Sequence, residues 1–440
     1  MKIYLDTIGC RLNQSEIETM ARQFRAVGHE IVGSAEMADM AVVNTCAVTN
    51  DAAAESRGRI RQIARVGVNE IVATGCWTTL QPQRASDLPN VIRVVANDRK
   101  DHLVADVLNL PQESFDLEPI SRVPLPGLHR RTRAFIKVQD GCDNQCTFCI
   151  TTVARGAGRS RPLSDVILDI QSALDGGTKE IVLTGVHLGS WGYDFNKHLR
   201  DLIQAILRET DTPRLRLSSL EPWDLDADFF SLWDSSSSAS TSSTQRLRAG
   251  SRLMPHLHLP LQSGCESTLR RMRRKTTPGS FRELVSAARE VMPDVSITTD
   301  LIAGFPGETE EEFAETLEFV GEMNFAGGHV FTYSPRPGTG AARMKGQVRP
   351  EFGKKRNRIL HDALEESART YREKFAGRRM SVLWESTSEM GEWGWQMEGL
   401  TENNLRVQAF APSPRWNEVD DVLLNECDGD RMKGVILNTG

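Results

Sequence analysis

The chain has 440 residues, 39% of them hydrophobic and 25% charged, which makes room for two to four domains and a large core. A formal net charge of −6 excludes a global attraction to nucleic acid, so an RNA site has to come from local basic patches. No apolar run reaches about 18 residues, which excludes a spanning helix, and Asp6 interrupts the start before a signal-peptide core can form. The expected compartment is the reducing cytoplasm, where clustered cysteines mean metal or catalysis more often than disulfides.

Residues 3–5 predict a short strand. Residues 15–27 predict a helix with Ile17, Met20, Phe24 and Val27 on one side. Strands are expected at 40–43 and 70–73 with a helix at 52–64 between them, an alternation that argues for a parallel α/β sheet. Cys10, Cys46 and Cys76 each fall just past one of these strands, beside Gly9, Asn44-Thr45 and Gly75. Ligands of open α/β sheets bind beyond the carboxyl ends of the strands. The three thiols are therefore expected to converge as a second cysteine site; the alternative is three buried small apolar side chains.

Residues 111–127 carry Pro111, Pro119, Pro124 and Pro126 and read as a linker after an N-terminal domain at 1–110. Six strands follow, at 134–138, 180–184, 214–217, 256–261, 295–301 and 329–333. The clearest helices between them lie at 164–174, 199–207, 281–292 and 310–323. Six such units predict a partial (β/α)6 barrel, short of the eight needed for closure. A Ser/Thr-rich tract within 234–250 reads as a surface loop, and a charged helix at 351–375 closes this 128–375 core. From 376 to 440 the pattern changes to short strands, at 380–384, 394–398, 405–410, 422–427 and 433–437, a small all-β module.

Directly after the first core strand stands Cys142-Asp143-Asn144-Gln145-Cys146-Thr147-Phe148-Cys149. Thiolate is the ligand of iron–sulfur clusters, and three thiolates so close together can hold three corners of a cube. The fourth iron stays open for a substrate or cofactor. A zinc knuckle would need a second ligand pair, and none lies nearby; a disulfide hairpin is the remaining alternative. Placement after a barrel strand puts the run on the face where βα loops carry chemistry.

Cys142-x-x-x-Cys146-x-x-Cys149 resembles the signature of radical S-adenosylmethionine (SAM) enzymes. With a three-cysteine domain before it and a β module after it, the chain is similar to the methylthiotransferases over nearly its whole length. Thr7-Ile8-Gly9-Cys10-Arg11-Leu12-Asn13-Gln14 and Val43-Asn44-Thr45-Cys46-Ala47-Val48-Thr49 resemble the threonylcarbamoyladenosine branch, as do Leu183–Gly189 and Leu217–Pro222. The resemblance implies two [4Fe–4S] clusters, one on Cys142, Cys146 and Cys149 with SAM on its open iron, the other on Cys10, Cys46 and Cys76. It implies a 5′-deoxyadenosyl radical and transfer of a methylthio group to C2 of threonylcarbamoyladenosine in tRNA, with a flavodoxin- or ferredoxin-type reductant. No side-chain base removes an unactivated aromatic proton near neutral pH, which is why a radical is needed. The alternatives are the same chemistry on isopentenyladenosine or on a ribosomal-protein aspartate, or a non-catalytic iron–sulfur RNA-binding protein.

The same resemblance assigns SAM contacts to Phe148, to Thr184, Gly185 and Val186, to Ser219 and Glu221, to Gly304 in Gly304-Phe305-Pro306-Gly307, and to Tyr333. For Phe148 the alternative is core packing, and for Ser219 a capping role. Basic residues gather at Arg130, Arg131, Arg133 and Lys137, at Arg155, Arg159 and Arg161, and at Arg270, Arg271, Arg273, Arg274 and Lys275. Solvated faces are the usual reason for such runs. Arg155, Arg159 and Arg161 directly follow the cysteine loop and are the candidates for RNA phosphate. The C-terminal module resembles a TRAM domain. It carries six Arg/Lys against eleven Asp/Glu from residue 376 onward, a net charge of −5 that gives RNA no electrostatic attraction. Trp384, Trp393, Trp395 and Trp416 in that module are expected in its core more than stacked on bases. Cys265 and Cys427 read as ordinary, partly buried thiols.

Overall fold

The computed structural model describes residues 1–111, 132–233, 252–391 and 393–437. Nearly all of the expected linker 111–127, the whole expected loop 234–250, Arg130 and Arg131 lie outside them. The chain divides into two compact units. One comprises Met1–Gln145, Cys149–His187 and Trp191–Lys197; the other comprises Cys146–Phe148, Leu188–Ser190 and His198–Gly440. This division cuts across the domain boundaries expected from the sequence, since the first unit takes in the start of the core.

In the first unit, five parallel strands form one sheet: β1 (Lys2–Thr7), β2 (Glu30–Val32), β3 (Met40–Thr45), β4 (Glu70–Gly75) and β5 (Val91–Val95), in the order β2-β1-β3-β4-β5. All six residues of β3 are buried, as a central parallel strand covered on both faces requires. One face packs Ile17, Met20 and Phe24 of the helix Arg11–Ala26; the other packs Ile60 and Ile63 of the helix Asn50–Arg65. The strands carrying the three cysteines, β1, β3 and β4, are adjacent. The same unit holds β6 (Arg133–Lys137), the short antiparallel pair β7 (Gln139–Asp140) and β8 (Arg159–Ser160), and β9 (Glu180–Thr184), which runs parallel to β6.

In the second unit, β10 (Arg214–Leu217), β11 (His256–His258), β12 (Ser296–Ala303) and β13 (Gly327–Thr332) run parallel. The helices Pro278–Val291 and Glu310–Met323 precede and follow β12, each opened by a threonine capping box. All six expected core strands are present, each within a few residues of its expected bounds. The long helix Pro350–Glu373 leads to a closed antiparallel-rich barrel of β14 (Arg379–Gly391), β15 (Gly394–Thr401), β16 (Arg406–Ala411), β17 (Val419–Asp428) and β18 (Arg431–Ile436), ordered β14-β15-β16-β18-β17. Arg214 and Arg216 of β10 donate to the carbonyls of Leu400, Thr401 and Glu402 in this barrel. Trp384 is fully buried in it, with its indole N–H donating to Asp420 at 2.7 Å. Trp395 packs against the same core, whereas Trp393 is 75% exposed. Among the described residues, no helix is long and apolar enough to cross a membrane.

Candidate active site

Cys10 is the N-cap of the helix Arg11–Ala26, Cys46 follows β3, and Cys76 opens the helix Cys76–Leu80 directly after β4. The loops that carry them are laced together. Ile8 N–H donates to Asn44 O, Asn13 Nδ2 to Ile8 O at 2.8 Å and to Thr45 O at 3.2 Å, and Thr45 Oγ1 to Thr74 O at 2.6 Å. Ser56 Oγ accepts the Cys46 N–H. Gly9 has φ +108°, and a Cβ there would stand 2.7 Å from both Cβ and Sγ of Cys46. Only glycine adopts that backbone and leaves that room.

The thiols of Cys10, Cys46 and Cys76 lie within electrostatic reach of one another. Burial pushes the Cys46 thiol up to about 11, and Cys10 and Cys76 push it the same way. Asn13 Oδ1 stands 3.8 Å from Cys10 Sγ, and Asn97 Nδ2 stands 3.6 Å from Cys76 Sγ. Among the described residues, no His, Cys, Asp and Glu side chains are grouped to hold a single metal ion. Thiolates are the ligands that iron–sulfur clusters take, one to each iron.

The loop after β6 carries the other triplet, Cys142, Cys146 and Cys149. Gly141 has φ +71°, and a Cβ there would fall 1.9 Å from Ala157 O, so the chain closes tightly on itself just before Cys142. Cys142 N–H donates to Gly156 O, Asn144 N–H lies 3.4 Å from Cys142 Sγ, and Asp143 Oδ1 accepts the Gly158 N–H. Burial raises the Cys149 thiol against the backbone N–H groups of Thr151 and Thr152. Gln139 joins this loop to the end of β9: its Nε2 donates to Asp140 O and Gly141 O, and its Oε1 accepts the His187 N–H. Thr184 is buried at the end of β9, with Gly185 and Val186 following half-buried, and a Cβ on Gly185 would meet Gln139 at 3.1 Å.

Cys146, Thr147 and Phe148 belong with the second unit. Thr147 is pinned there by bonds from its N–H to Met272 O and from its Oγ1 to Arg271 O, and its own carbonyl accepts the Ala341 N–H. Phe148 and Tyr333 pack on a small cluster of Met272, Phe305 and Ala341, and Phe305 and Tyr333 meet edge-on at 5.4 Å. Ser219 and Glu221 follow β10, Gly304 follows β12 and Tyr333 follows β13. These expected contacts of the second unit therefore share the carboxyl ends of its parallel strands. Gly304 N–H donates to Glu308 at 2.8 Å, and Arg356 clamps the same carboxylate at 2.8 Å. The hydroxyl of Tyr333 is buried without a hydrogen-bond partner, an acceptor or donor position left for a ligand.

Two expectations about basic residues are corrected. Arg155, expected at RNA phosphate, is 3% exposed, with Nη1 on Glu16 at 2.8 Å and on Asp140 at 2.9 Å and Nη2 on Asn13 at 2.7 Å. Arg161 is bound to Asp169 at 2.7 Å; Arg159 stays half-exposed, 3.8 Å from Asp140. Arg274, taken with its neighbours as a solvated face, is buried. It pairs with Glu221 at 2.7 Å, stacks on Trp223 at 4.3 Å and reaches 3.9 Å from Cys146 Sγ. Sequence separation hid both contacts: Glu16 lies 139 residues before Arg155, and Cys146 lies 128 before Arg274. Cys265 is buried beside Ser267, and Cys427 accepts from Arg372, in keeping with ordinary thiols.

Residues 2–97 match the uncharacterized protein family UPF0004, and residues 136–320 match the radical SAM superfamily. The threonylcarbamoyladenosine tRNA methylthiotransferase MtaB of Thermotoga maritima is 36% identical over 388 residues, 87% of this chain and 86% of that protein. The protein of the same name from Bacillus subtilis is 33% identical over 416 residues, covering 91% and 88%. The tRNA-2-methylthio-N(6)-dimethylallyladenosine synthase of Oceanobacillus iheyensis is 30% identical over 455 residues, covering 99% and 84%. Among solved structures, the radical SAM methyltransferase TsrM of Kitasatospora setae has a TM-score of 0.57 at 15% identity, over 78% of this chain and 75% of that one. That likeness shows a shared fold. The chain belongs to the tRNA methylthiotransferase family built on the radical SAM scaffold.

Proposed function

We propose that this protein is a transferase that methylthiolates C2 of N6-threonylcarbamoyladenosine in tRNA, using SAM and two [4Fe–4S] clusters. Membership in the family brings an iron–sulfur cluster and SAM; the second cluster is the step the reading adds. The observation that carries it is the convergence of Cys10, Cys46 and Cys76 at the ends of three adjacent strands, held by a glycine that admits no side chain. The identity of 33–36% to the threonylcarbamoyladenosine enzymes supports that nucleoside over the dimethylallyl one. In this reading, a cytoplasmic flavodoxin- or ferredoxin-type protein supplies the electron.

When bound, the first cluster with SAM supplies an adenosyl radical and the second supplies a methylated sulfur. The chain's own residues hold and shield these groups. Cys142, Cys146 and Cys149 would supply thiolates to the first cluster. Thr184, Gly185 and Val186 at the end of β9, and Ser219 and Glu221 after β10, offer backbone and side-chain partners to the polar end of SAM. Arg274 orients Glu221 for that task and places a positive charge beside Cys146. Phe148, Tyr333 and the turn at Gly304 form an apolar wall that suits an adenine ring and keeps water from a radical.

The test is anaerobic reconstitution with SAM, a reductant and tRNA carrying either threonylcarbamoyladenosine or isopentenyladenosine, followed by nucleoside mass spectrometry. The reading expects 5′-deoxyadenosine and a methylthio product from the first tRNA. A methylthio product from the second tRNA alone reassigns the substrate. Absence of 5′-deoxyadenosine with both leaves only a non-catalytic RNA-binding protein.

A further inference from the structure

Consecutive residues just past the first cysteine loop reach the surroundings of the second cysteine site. Cys149 is followed by the short helix Thr151–Arg155. The carbonyl of Ala154 accepts from Asn97 Nδ2 at 2.8 Å, and the same amide stands 3.6 Å from Cys76 Sγ. Arg155 Nη2 donates to Asn13 Oδ1 at 2.7 Å, and the same oxygen stands 3.8 Å from Cys10 Sγ. One side-chain amide thus separates each of residues 154 and 155 from a thiol of Cys76 or Cys10. The guanidinium is locked from its other side by Glu16 and Asp140, with Lys100 on Glu16 at 2.8 Å and Lys137 between Asp101 and Asp140. Glu16, Lys100 and Arg155 have side chains no more than 2% exposed.

We propose that Arg155 is a positioning residue for the second cluster, its buried guanidinium fixing the charge and the geometry around Cys10 and Cys76. The inference rests on the reading that these cysteines and Cys46 hold a cluster. Arg155 is within electrostatic reach of both thiols, in surroundings dry enough to strengthen a fixed charge. Reduction adds an electron to a cluster, so a fixed positive charge beside it favours the reduced form; hydrogen bonding and burial act on the same potential. Arginine suits the place because its planar fork meets Glu16, Asp140 and Asn13 at once, which a lysine cannot.

The experiment uses the full-length chain with Cys142, Cys146 and Cys149 changed to alanine, reconstituted with iron and sulfide. Iron content and the midpoint potential of the remaining cluster are read by redox titration under electron paramagnetic resonance. The parent is expected to load about four irons. In Arg155→Gln the reduction equilibrium is expected to fall at least tenfold, about 59 mV for one electron. In Glu16→Gln it rises, because the opposite charge is removed, and in Arg155→Lys, which keeps the charge but not the fork on Glu16, Asp140 and Asn13, it falls by less than in Arg155→Gln. Opposite shifts are a signature that general loosening of the fold does not give. If Arg155→Gln fails to load, the pair Glu16→Gln and Arg155→Lys carries the test. Unmoved potentials, or shifts of one sign, overturn the role of Arg155 while the cluster reading stands. A parent that binds no iron overturns the cluster reading and this inference with it.

Discussion

At Gly9 a missing β-carbon decides whether a cysteine can reach its place. The backbone is left-handed, and Cys46 occupies the space a side chain would take. Gly9→Ala is expected to cost about 1–3 kcal/mol through strain and overpacking. Its more telling effect is loss of iron from the Cys10, Cys46 and Cys76 site with the other site still loaded. Iron analysis beside a thermal melt checks this; unchanged iron would show that Cys46 has room to spare. The placement of Cys10, Cys46 and Cys76 past three adjacent strands was legible in the sequence, because position after a strand is a local property. Arg155 was not. A charge in a basic run reads as solvated, and nothing near it in sequence announces Glu16, Asp140 and Asn13 as partners.

Among the elements, the helix Glu310–Met323 depends on its first turn. Thr309 Oγ1 accepts the Glu312 N–H, and Glu312 returns to the Thr309 N–H and also pairs with Arg271. The Arg271 hydrogen bonds, against partial burial, hold the Glu312 carboxyl down to about 2, below the ordinary glutamate value of about 4.3. A depressed carboxylate stabilises the fold fully above its unfolded value and loses that contribution as the pH falls through the folded one. The Glu312 contribution is therefore expected to vanish between about pH 4 and pH 2. Glu312→Gln is expected to cost about 0.5–2 kcal/mol at neutral pH, the range of a capping interaction, and to flatten the acid limb of the stability curve over that window. Denaturant melts at pH 6, 4 and 3 measure it, and an unchanged acid limb would contradict it.

The elements also show what local pattern carries. Of the six core strands, β6 and β9 were legible as short apolar runs, Ala134–Ile136 and Ile181–Leu183, as buried parallel strands are. β2 has three residues and escaped notice. β5 includes Ile92 and Arg93, both exposed, so its edge position blurs the apolar signal. The helix Arg11–Ala26 begins before the expected residue 15, and its start was hidden because its N-cap, Cys10, is not a residue type that signals a helix start.

For the whole molecule, buried arginines tie the second unit's core strands to its C-terminal barrel. Arg216 is fully buried and serves two carbonyls of the barrel. Arg216→Met leaves those acceptors unpaired, at about 1–3 kcal/mol each if they stay dry. A lower melting temperature for core and barrel together is expected, followed by hydrogen exchange. Barrel protection equal to that of the parent would show that the barrel stands without this tie. The C-terminal module, residues 376–440, carries a net charge of −5, a poor electrostatic fit for RNA.

The division of labour between the two cysteine triplets is tested most directly by changing Cys10, Cys46 and Cys76 to alanine and comparing reconstituted protein with the parent on tRNA bearing threonylcarbamoyladenosine. The parent is expected to hold about eight irons and the variant about four. The variant should still release 5′-deoxyadenosine and make no methylthio nucleoside. A variant that forms the methylthio product at the parental rate, or a parent that never holds more than about four irons, would contradict the account.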